Sequence, residues 1–416
     1  MIPMPQPHLD FGVLDDPKLR FCLGSKEQVR ALPEQPALAI FSPQTLDFLE
    51  LFSALLLEAA KGEPGRRFPE LSALAFFCRR RELERQARRY ADGLIRRGRG
   101  LVFHSTPANV PLNFAFSLIA GVLCGNANLV RLPAVDSEAG QLVIKTLSRC
   151  LERMPQFKER LVLVKYESSA QITALFSALC QCRVLWGGDE TIATMRQAPL
   201  PPRAHELSFA DRHALCLMQA TQVASASESE LRTLVQGFFN DTYRLDQNAC
   251  SSPKLMIWYG TAAQHEQAAG RFWAALHALL KEKNYELPAA QAVAKLTRLY
   301  EGAACCELKH IATEDNLIVR AEAARAVPAL TDCCGRCGLF YELRVDDLSQ
   351  MLPWCGLKCQ TLTYFGFERS ELEHFLSSHA MPGVDRVVPV GHALDFDLVW
   401  DGYDLICELS RVVSVR

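Results

Sequence analysis

The sequence contains no long apolar run that is free of charged residues. None reaches the roughly 18 residues that a membrane-spanning helix requires, so membrane insertion is not expected. The formal net charge is only −2 over 416 residues, which excludes bulk attraction to nucleic acid or to a lipid surface. Internal repeats and low-complexity linkers are also missing, so domain boundaries have to be placed from the pattern of strands and helices alone.

A secretory signal is also lacking, because residues 1–8 contain neither a basic segment nor an apolar core. We therefore expect a cytoplasmic protein, in which the sixteen cysteines stay reduced. Many of these cysteines stand in apolar runs, such as Cys180 and Cys216, where a thiol acts as a small core residue.

The length is too great for one hydrophobic core, and alternating patterns predict an α/β fold with two Rossmann-like domains. Strands are predicted at 101–104, 127–132, 161–164, 183–186, 254–258, 315–319, 338–345 and 359–367. Helices are predicted from Pro43 to Gly62, from about Pro69 to Ile95, and at 114–123, 137–153, 169–180, 229–240 and 262–282.

Four regions follow from this order. We expect a largely helical region at 1–97, a nucleotide-binding domain at 98–245, a domain with a nucleophilic cysteine at 246–391, and a C-terminal segment at 392–416. The last segment is expected to pack back on the nucleotide-binding domain or to lie at an oligomer interface.

Cys250 stands in a polar turn directly before the apolar run 255–259. Its small neighbours Ala249 and Ser251 leave the sulfur accessible to a carbonyl group. The other cysteines lack this setting. The pattern therefore predicts a nucleophile that forms a covalent acyl-enzyme.

Two further turns follow predicted parallel strands, where ligands bind in such sheets. Thr106 and Pro107 follow the first strand and are candidate cofactor contacts. The amide of Asn109 suits a developing oxyanion, although the spacing alone favours the commoner role of a helix cap. Gly187 and Gly188 allow a backbone to approach a pyrophosphate, but they are not the full glycine fingerprint.

Arg131 ends the second strand of this series. A guanidinium at that place suits a phosphate group on a ribose. The alternative is an ordinary exposed arginine.

In their order and spacing, these motifs resemble the aldehyde dehydrogenase superfamily. The motifs are Pro107 to Pro111, Gly125 to Pro133, Trp186 to Gly188, and Gln247 to Cys250. The C-terminal stretches 385–391 and 400–404 resemble its acyl-CoA reductase branch, the LuxC-like fatty acid reductases. The resemblance covers about residues 95–416.

The resemblance implies an aldehyde dehydrogenase-like fold, Cys250 as nucleophile and Asn109 as the oxyanion donor. It also implies Arg131 at the ribose and Gly187 and Gly188 under the pyrophosphate of NADPH. The expected reaction reduces an acyl-CoA or acyl-protein thioester, with a fatty acyl group, to an aldehyde. A homo-oligomer and an acyl-protein synthetase partner are expected from the same resemblance.

One motif departs from the family pattern. Glu206 stands where oxidising members carry a general base, but Ser208 and Phe209 replace the glycines that follow it. A reductase must exclude water, so the departure favours reduction. Two alternatives remain open, namely NAD(P)-dependent oxidation of an aldehyde, and a non-catalytic subunit of an acyl-protein synthetase complex.

Three other features have competing interpretations. The cysteines Cys333, Cys334, Cys337, Cys355 and Cys359 allow a zinc site, but incidental reduced thiols and no metal are expected. The arginines between 79 and 99 indicate a solvated helix face, or a docking face for an acidic partner or for coenzyme A. They lack interleaved aromatics, so nucleic acid is not expected. His104 is either a core histidine or a proton donor.

Overall fold

The computed structural model describes residues 9–415. The expectation for residues 1–8 lies outside this range. The chain divides into two compact units, of which the first combines the residues up to Ala210 with those from Phe396 onwards, and the second spans Asp211–Asp395. Among the described residues, no helix has both the length and the apolar character needed to cross a membrane.

The elements of the chain follow in three groups. Before Ala210 the helices are α1 (Lys26–Ala31), α2 (Pro43–Lys61), α3 (Pro69–Phe77), α4 (Arg80–Ala87), α5 (Asn113–Leu123), α6 (Glu138–Arg153), α7 (Ala170–Leu179) and α8 (Asp189–Arg196), and the strands are β1 (Arg20–Leu23), β2 (Ile95–Gly98), β3 (Leu101–Ser105), β4 (Ala127–Arg131), β5 (Leu161–Lys165), β6 (Cys182–Trp186) and β7 (His205–Phe209).

The second unit has helices α9 (Ala220–Ser225), α10 (Glu228–Thr242), α11 (Ala262–Glu282), α12 (Ala289–Cys305) and α13 (Arg369–Ser378), and strands β8 (His213–Gln219), β9 (Pro253–Tyr259), β10 (Leu308–Ile311), β11 (Val319–Ala323), β12 (Leu339–Val345), β13 (Cys359–Phe365) and β14 (Arg386–Pro389). The C-terminal residues add β15 (Val399–Trp400), β16 (Tyr403–Asp404), α14 (Leu405–Glu408) and β17 (Ser410–Val413).

The sheet of the first unit has the strand order β1-β5-β4-β3-β6-β7. All neighbours in it are parallel except β1. After the edge strand β1, the parallel strands start at β3, run outwards through β4 and β5, and then return to the other side of β3. This order opens a crevice at the carboxyl end of β3, where dinucleotides bind in such sheets. The predicted parallel sheet is confirmed.

The sheet of the second unit has the order β10-β11-β12-β9-β8-β13-β14, and only β10 is antiparallel to its neighbour. β8 pairs with both β9 and β13, so the chain enters this unit after Ala210. The boundary predicted at residue 245 is therefore too late, because the pattern had missed β8.

Local signals predicted α2 correctly. Pro43 takes the first helical position, where its fixed φ suits the helix, and the helix stops before Gly62. The long helix predicted from Pro69 to Ile95 is wrong, because α3 ends at Phe77 and residues 95–98 are strand β2. β2 pairs with β17, about 300 residues later, and such a pairing leaves no local signal in the sequence.

Four of the nine arginines between 79 and 99 form ion pairs within their own unit. Arg80 forms ion pairs with Asp47 and Glu50 on α2, and Arg89 pairs with Asp397. Exposed pairs of this kind contribute little to stability. They do offset part of the positive charge, which supports the solvated face over a docking site for phosphates.

His104 lies in β3 and is fully buried. Its Nδ1 is 2.7 Å from Oγ of Ser117 and its Nε2 is 3.1 Å from Oδ1 of Asn128. The indole N–H of Trp186 donates to the same Ser117 hydroxyl at 3.0 Å. Burial lowers the pKa of His104 to about 4, against the effect of its hydrogen bond with Asn128. The histidine is thus a neutral core residue rather than a proton donor.

This buried histidine makes stability depend on pH. Between pH 6.5 and about 4 the folded state holds fewer protons than the unfolded chain, so the free energy of unfolding falls as the pH falls. We expect His104→Gln to lose less stability than the wild type between pH 7 and pH 5, by about 2 kcal/mol. Urea unfolding at both pH values measures this, and equal pH dependence in the two proteins would contradict it.

Candidate active site

Cys250 lies in the turn between α10 and β9 and is partly exposed. The turn begins with Asp246 and Gln247, whose φ values are 49° and 54°. Left-handed backbone is uncommon for residues other than glycine, and it persists only where the surroundings hold it. The contacts of these two residues therefore decide where the thiol is placed.

The side-chain amide of Gln247 holds both sides of the turn. It is fully buried, and its Nε2 donates to the carbonyl of Pro253 at 2.9 Å and to that of Leu339 at 3.4 Å. Its Oε1 accepts from the backbone N–H of Gly338 at 2.7 Å. One side chain thus ties residues on either side of Cys250 to each other and to the start of β12.

A neighbouring loop supports the same turn. The backbone N–H of Cys337 donates to the carbonyl of Asp246 at 3.1 Å, and the hydroxyl of Tyr285 donates to the carboxylate of Asp246 at 2.7 Å. Gly338 has φ +86°, and a Cβ there would lie 2.2 Å from the carbonyl oxygen of Leu317. Only glycine fits this position, so the loop that supports the cysteine turn depends on it.

The two residues after the cysteine were missed as functional candidates. The hydroxyls of Ser251 and Ser252 are buried, and neither has a hydrogen-bond partner among the described residues. Unsatisfied buried polar atoms are rare and call for an explanation. Water or a reactant at the turn would satisfy them, and the sequence offers no signal for this.

Lys254 is a second residue that the sequence did not single out. In the pairing of β8 with β9, Ala214 faces Pro253 and Leu215 faces Leu255, so Lys254 is an extra, bulged residue. Bulges redirect a side chain next to active sites. Burial lowers the pKa of Lys254, against electrostatic attraction to the thiols of Cys334 and Cys250. Lys254 is therefore a candidate to influence the thiol of Cys250 electrostatically.

The clustered cysteines contact different groups. Burial raises the pKa of Cys334 to about 12 despite the charge of Lys254, and the thiol of Cys337 donates to Oε1 of Gln291 at 2.7 Å. Across residues 9–415, no three His, Cys, Asp or Glu side chains are grouped to hold a metal ion.

The first unit carries the remaining candidates at the carboxyl end of its sheet. Thr106 uses its hydroxyl within the protein, donating to the carbonyl of Arg131 at 2.9 Å, and Pro107 follows it, partly exposed. Asn109 is exposed in the next turn. The cap position of α5 is Leu112, so the interpretation of Asn109 as a helix cap is wrong.

Arg131 ends β4, and its guanidinium stacks on the ring of Tyr166 at 4.5 Å. On the neighbouring strand β5, Val164 pairs with Arg131. The next residue, Lys165, points to the opposite face of the sheet, where its ammonium is 2.5 Å from the carboxylate of Asp136. Arg20 approaches the same carboxylate at 3.4 Å. Lys165 and Asp136 line a small cleft of about 60 Å³ together with side chains from α5 and α6. The sequence had marked neither Lys165 nor Asp136.

The turn from β6 to α8 fits an anionic ligand. Gly188 occupies the cap position, no side chain caps the helix, and a Cβ on Gly188 would meet no atom within 4 Å. Backbone amides at a helix start bind phosphate groups. The carboxylates of Asp189 and Glu190 stand in the same first turn, so binding there depends on the backbone amides rather than on local charge.

Glu206 does not fit the role of a general base. Its carboxylate accepts from Nε of Arg183 at 2.7 Å and from Nε of Arg196 at 2.7 Å. Burial raises its pKa, but the two arginines outweigh burial and hold the pKa below its usual range. Glu206 also lies near the amino end of β7, away from the carboxyl end where the cofactor candidates lie. These contacts favour a structural role for Glu206 over the predicted catalytic one.

Phe209 explains the departure from the family pattern at this strand. Its ring stacks on Trp186 with 3.7 Å between centroids, and Tyr403 packs edge-on against it. The aromatic side chain thus fixes the end of β7 against the C-terminal segment, where a glycine would leave a gap.

Solved structures of aldehyde dehydrogenases share this fold. Aldehyde dehydrogenase 21 from Physcomitrella patens, in complex with succinate, matches with a TM-score of 0.64, 11% identity, and coverage of 89% of this chain and 85% of that one. A point mutant of 1-pyrroline-5-carboxylate dehydrogenase from Thermus thermophilus matches with a TM-score of 0.63, 16% identity, and coverage of 94% of this chain and 86% of that one. An NAD-dependent benzaldehyde dehydrogenase from Corynebacterium glutamicum matches with a TM-score of 0.61, 13% identity, and coverage of 94% of this chain and 88% of that one. Identities this low show the fold alone.

The family model for acyl-CoA reductase (LuxC) matches residues 70–413. The chain belongs to the LuxC acyl-CoA reductase family. No curated protein sequence matches it. As a LuxC-family protein with an aldehyde dehydrogenase fold, it is an oxidoreductase that acts on acyl groups or aldehydes.

The position of Lys254 predicts an effect on the reactivity of Cys250 in this LuxC-family enzyme. We expect iodoacetamide to alkylate Cys250 about 3- to 10-fold more slowly at pH 7 in Lys254→Met than in the wild type. Removing a nearby positive charge destabilises the thiolate by roughly 1 kcal/mol. Peptide mass spectrometry resolves Cys250 from the other thiols.

Two variants serve as controls for this measurement. Lys254→Arg keeps the charge and is expected to keep most of the rate, and Lys309→Met removes an exposed lysine on the edge strand β10. An unchanged pH profile of alkylation in Lys254→Met would show that the lysine does not act on the thiol.

Proposed function

We propose that this chain reduces an acyl thioester to an aldehyde through a covalent acyl-Cys250 intermediate, with NADPH as reductant and a fatty acyl group as substrate. The observation that carries the proposal is the placement of Cys250. The thiol is partly exposed in a strained turn that the buried amide of Gln247 holds on both sides, and the chain belongs to a family of acyl-CoA reductases.

In the first step the thiolate of Cys250 attacks the thioester carbonyl. The ammonium of Lys254 favours the thiolate over the thiol. The carbon–sulfur bond to the donor then breaks, and the departing thiolate takes up a proton. The result is an acyl group on Cys250, so the turn must hold the sulfur in one place while the carbonyl carbon changes geometry.

The tetrahedral intermediate carries a negative oxygen that needs hydrogen-bond donors. The family resemblance assigns this role to the amide of Asn109, and its exposed position outside any helix cap supports the assignment. The backbone N–H of Cys250 is the second donor of the proposal.

The second step requires a two-electron donor at the acyl carbon. Bound NADPH supplies a hydride there. The residues that would hold the cofactor are Thr106 and Pro107 at the crevice, Gly187 and Gly188 under the pyrophosphate, and Arg131 at the ribose phosphate. The guanidinium of Arg131 is the positive charge that supports NADPH over NADH.

The last step releases the product. The thiohemiacetal on Cys250 collapses, the bond from carbon to sulfur breaks, and free aldehyde leaves with the thiolate restored. Hydrolysis of the acyl group would require a base to activate water, and the carboxylate of Glu206 is held by Arg183 and Arg196. These ion pairs of Glu206 support reduction of an acyl group over oxidation of an aldehyde.

The acyl donor is coenzyme A or a partner protein that carries the acyl group as a thioester. An acyl-protein synthetase as partner and a homo-oligomeric assembly belong to the same proposal, on the family resemblance.

The proposal predicts an acyl adduct on a single residue. Incubation with hexadecanoyl-CoA or octanoyl-CoA in the absence of cofactor should add one acyl group, and peptide mass spectrometry should place it on Cys250. Addition of NADPH should discharge the adduct and release aldehyde, because hydride then reaches the acyl carbon.

Cys250→Ser is the matched control and should accumulate no adduct. If Cys250→Ser still supports aldehyde formation beside a partner synthetase, the chain is a non-catalytic subunit. If the wild type converts aldehyde and NAD(P) only to carboxylate, it is an oxidising enzyme.

The cofactor assignment predicts a selective effect at Arg131. Arg131→Ala should raise KM for NADPH about 10-fold or more and change KM for NADH much less, because a charged hydrogen bond to the extra phosphate is worth roughly 1.5–3 kcal/mol. Arg131→Lys should restore most of the difference. Equal increases for both cofactors would rule out a phosphate contact.

A further inference from the structure

Two thiols outside the cysteine turn lie in direct contact. Cys305 is the last residue of α12, and Cys333 ends a short 3₁₀ helix, Pro328–Cys333, before β12. Their Sγ atoms are 3.4 Å apart. Cys305 is exposed, whereas Cys333 is 7% exposed. One thiol therefore meets solvent while its neighbour is shielded behind it.

We propose that Cys305 and Cys333 are a redox-active pair that forms a reversible disulfide with peroxide as the oxidant. A disulfide bond is about 2.05 Å long, so the sulfurs must approach by little more than 1 Å. Rotation of the exposed Cys305 side chain at the end of its helix provides this approach, since no packed core surrounds it.

The chemistry divides between the two positions. The thiolate of Cys305 attacks one oxygen of hydrogen peroxide, and the O–O bond breaks. The sulfur of Cys305 becomes a sulfenic acid, and the released hydroxide takes up a proton and departs as water. The sulfur of Cys333 then displaces the hydroxyl group, which departs as a second water and leaves the disulfide. Two electrons pass from the sulfurs to the peroxide, and two thiol protons end in the two waters.

The environment of Cys333 supports the role of the resolving thiol. Burial, and then the adjacent Cys305, raise its pKa to about 11, so it is protonated at neutral pH and does not compete for the oxidant. Its contact with Cys305 places it within reach of the sulfenic acid that it must attack. The exposed Cys305 is the position that peroxide reaches first.

Another thiol pair provides an internal comparison. Cys355 and Cys359 also interact with each other, but both are buried at 1% and 0% exposure. Peroxide has no access to either sulfur. The accessible member distinguishes the Cys305 pair from a pair of core thiols.

The bond would fasten a thinly packed helix. α12 buries only Lys295, Leu299 and Gly302 among its residues. Cys333 is anchored through its carbonyl, which accepts from the hydroxyl of Tyr341 on β12 at 3.3 Å. A disulfide between Cys305 and Cys333 would therefore join the end of α12 to the central strands of its sheet.

The test uses the full chain, reduced and then treated with hydrogen peroxide, with free thiols blocked by N-ethylmaleimide. Proteolysis should give a Cys305 peptide linked to a Cys333 peptide, lighter by two hydrogen atoms and separated again by dithiothreitol. Hydrogen exchange in α12 should slow at least several-fold after oxidation.

Two variants make the result specific. Cys305→Ser should leave Cys333 as a thiol, and Cys333→Ser should leave Cys305 as sulfenic or sulfinic acid. Cys355 and Cys359 should stay reduced throughout. The proposal is overturned if Cys305 in the wild type passes to sulfinic acid while Cys333 stays free, or if Cys305 links to Cys306 or to a second chain. Acyl transfer at Cys250 does not enter this readout.

Discussion

The buried amide of Gln247 is the contact on which the reactive part of this protein depends. Its three hydrogen bonds satisfy backbone groups of Pro253, Gly338 and Leu339, and each of these groups would cost about 1–3 kcal/mol if left buried without a partner. The left-handed backbone of Asp246 and Gln247 persists because the same contacts hold it. The direction of the Cys250 thiol follows from this arrangement.

The two units use their parallel strands in opposite ways. In the first unit, the candidate residues follow β3, β4 and β6, at the carboxyl ends where backbone amides and small residues meet a ligand. In the second unit, the candidate nucleophile Cys250 precedes β9, and the bulge at Lys254 begins the strand. A thiol at the start of a strand is held by side-chain contacts rather than by the sheet, which explains why a glutamine, a glycine and a tyrosine all converge on one turn.

The sequence predicted the parts of the fold that local chemistry decides. Helix α2 follows from Pro43 and Gly62, and the alternating pattern from residue 100 follows from burial of both sheet faces. β2 and the boundary at Ala210 were missed, because both depend on pairing between segments that are distant in the chain. Family motifs pointed to Cys250 and Arg131 as candidates. Other features can be recognised only from strand register and from neighbours across the sheet. They are the bulge at Lys254, the unsatisfied hydroxyls of Ser251 and Ser252, and the arginines that hold Glu206.

The first unit is discontinuous, since β2 pairs with β17 and the C-terminal aromatic residues pack on β6 and β7. The second unit is one continuous stretch of chain. Domains generally fold as the ribosome delivers them, starting from the N-terminus. Here the unit that begins first is completed last, so Asp211–Asp395 reaches its full set of contacts while the earlier unit still awaits its final strand. A chain cut before β17 would carry a finished Asp211–Asp395 unit attached to a first unit without the partner strand of β2.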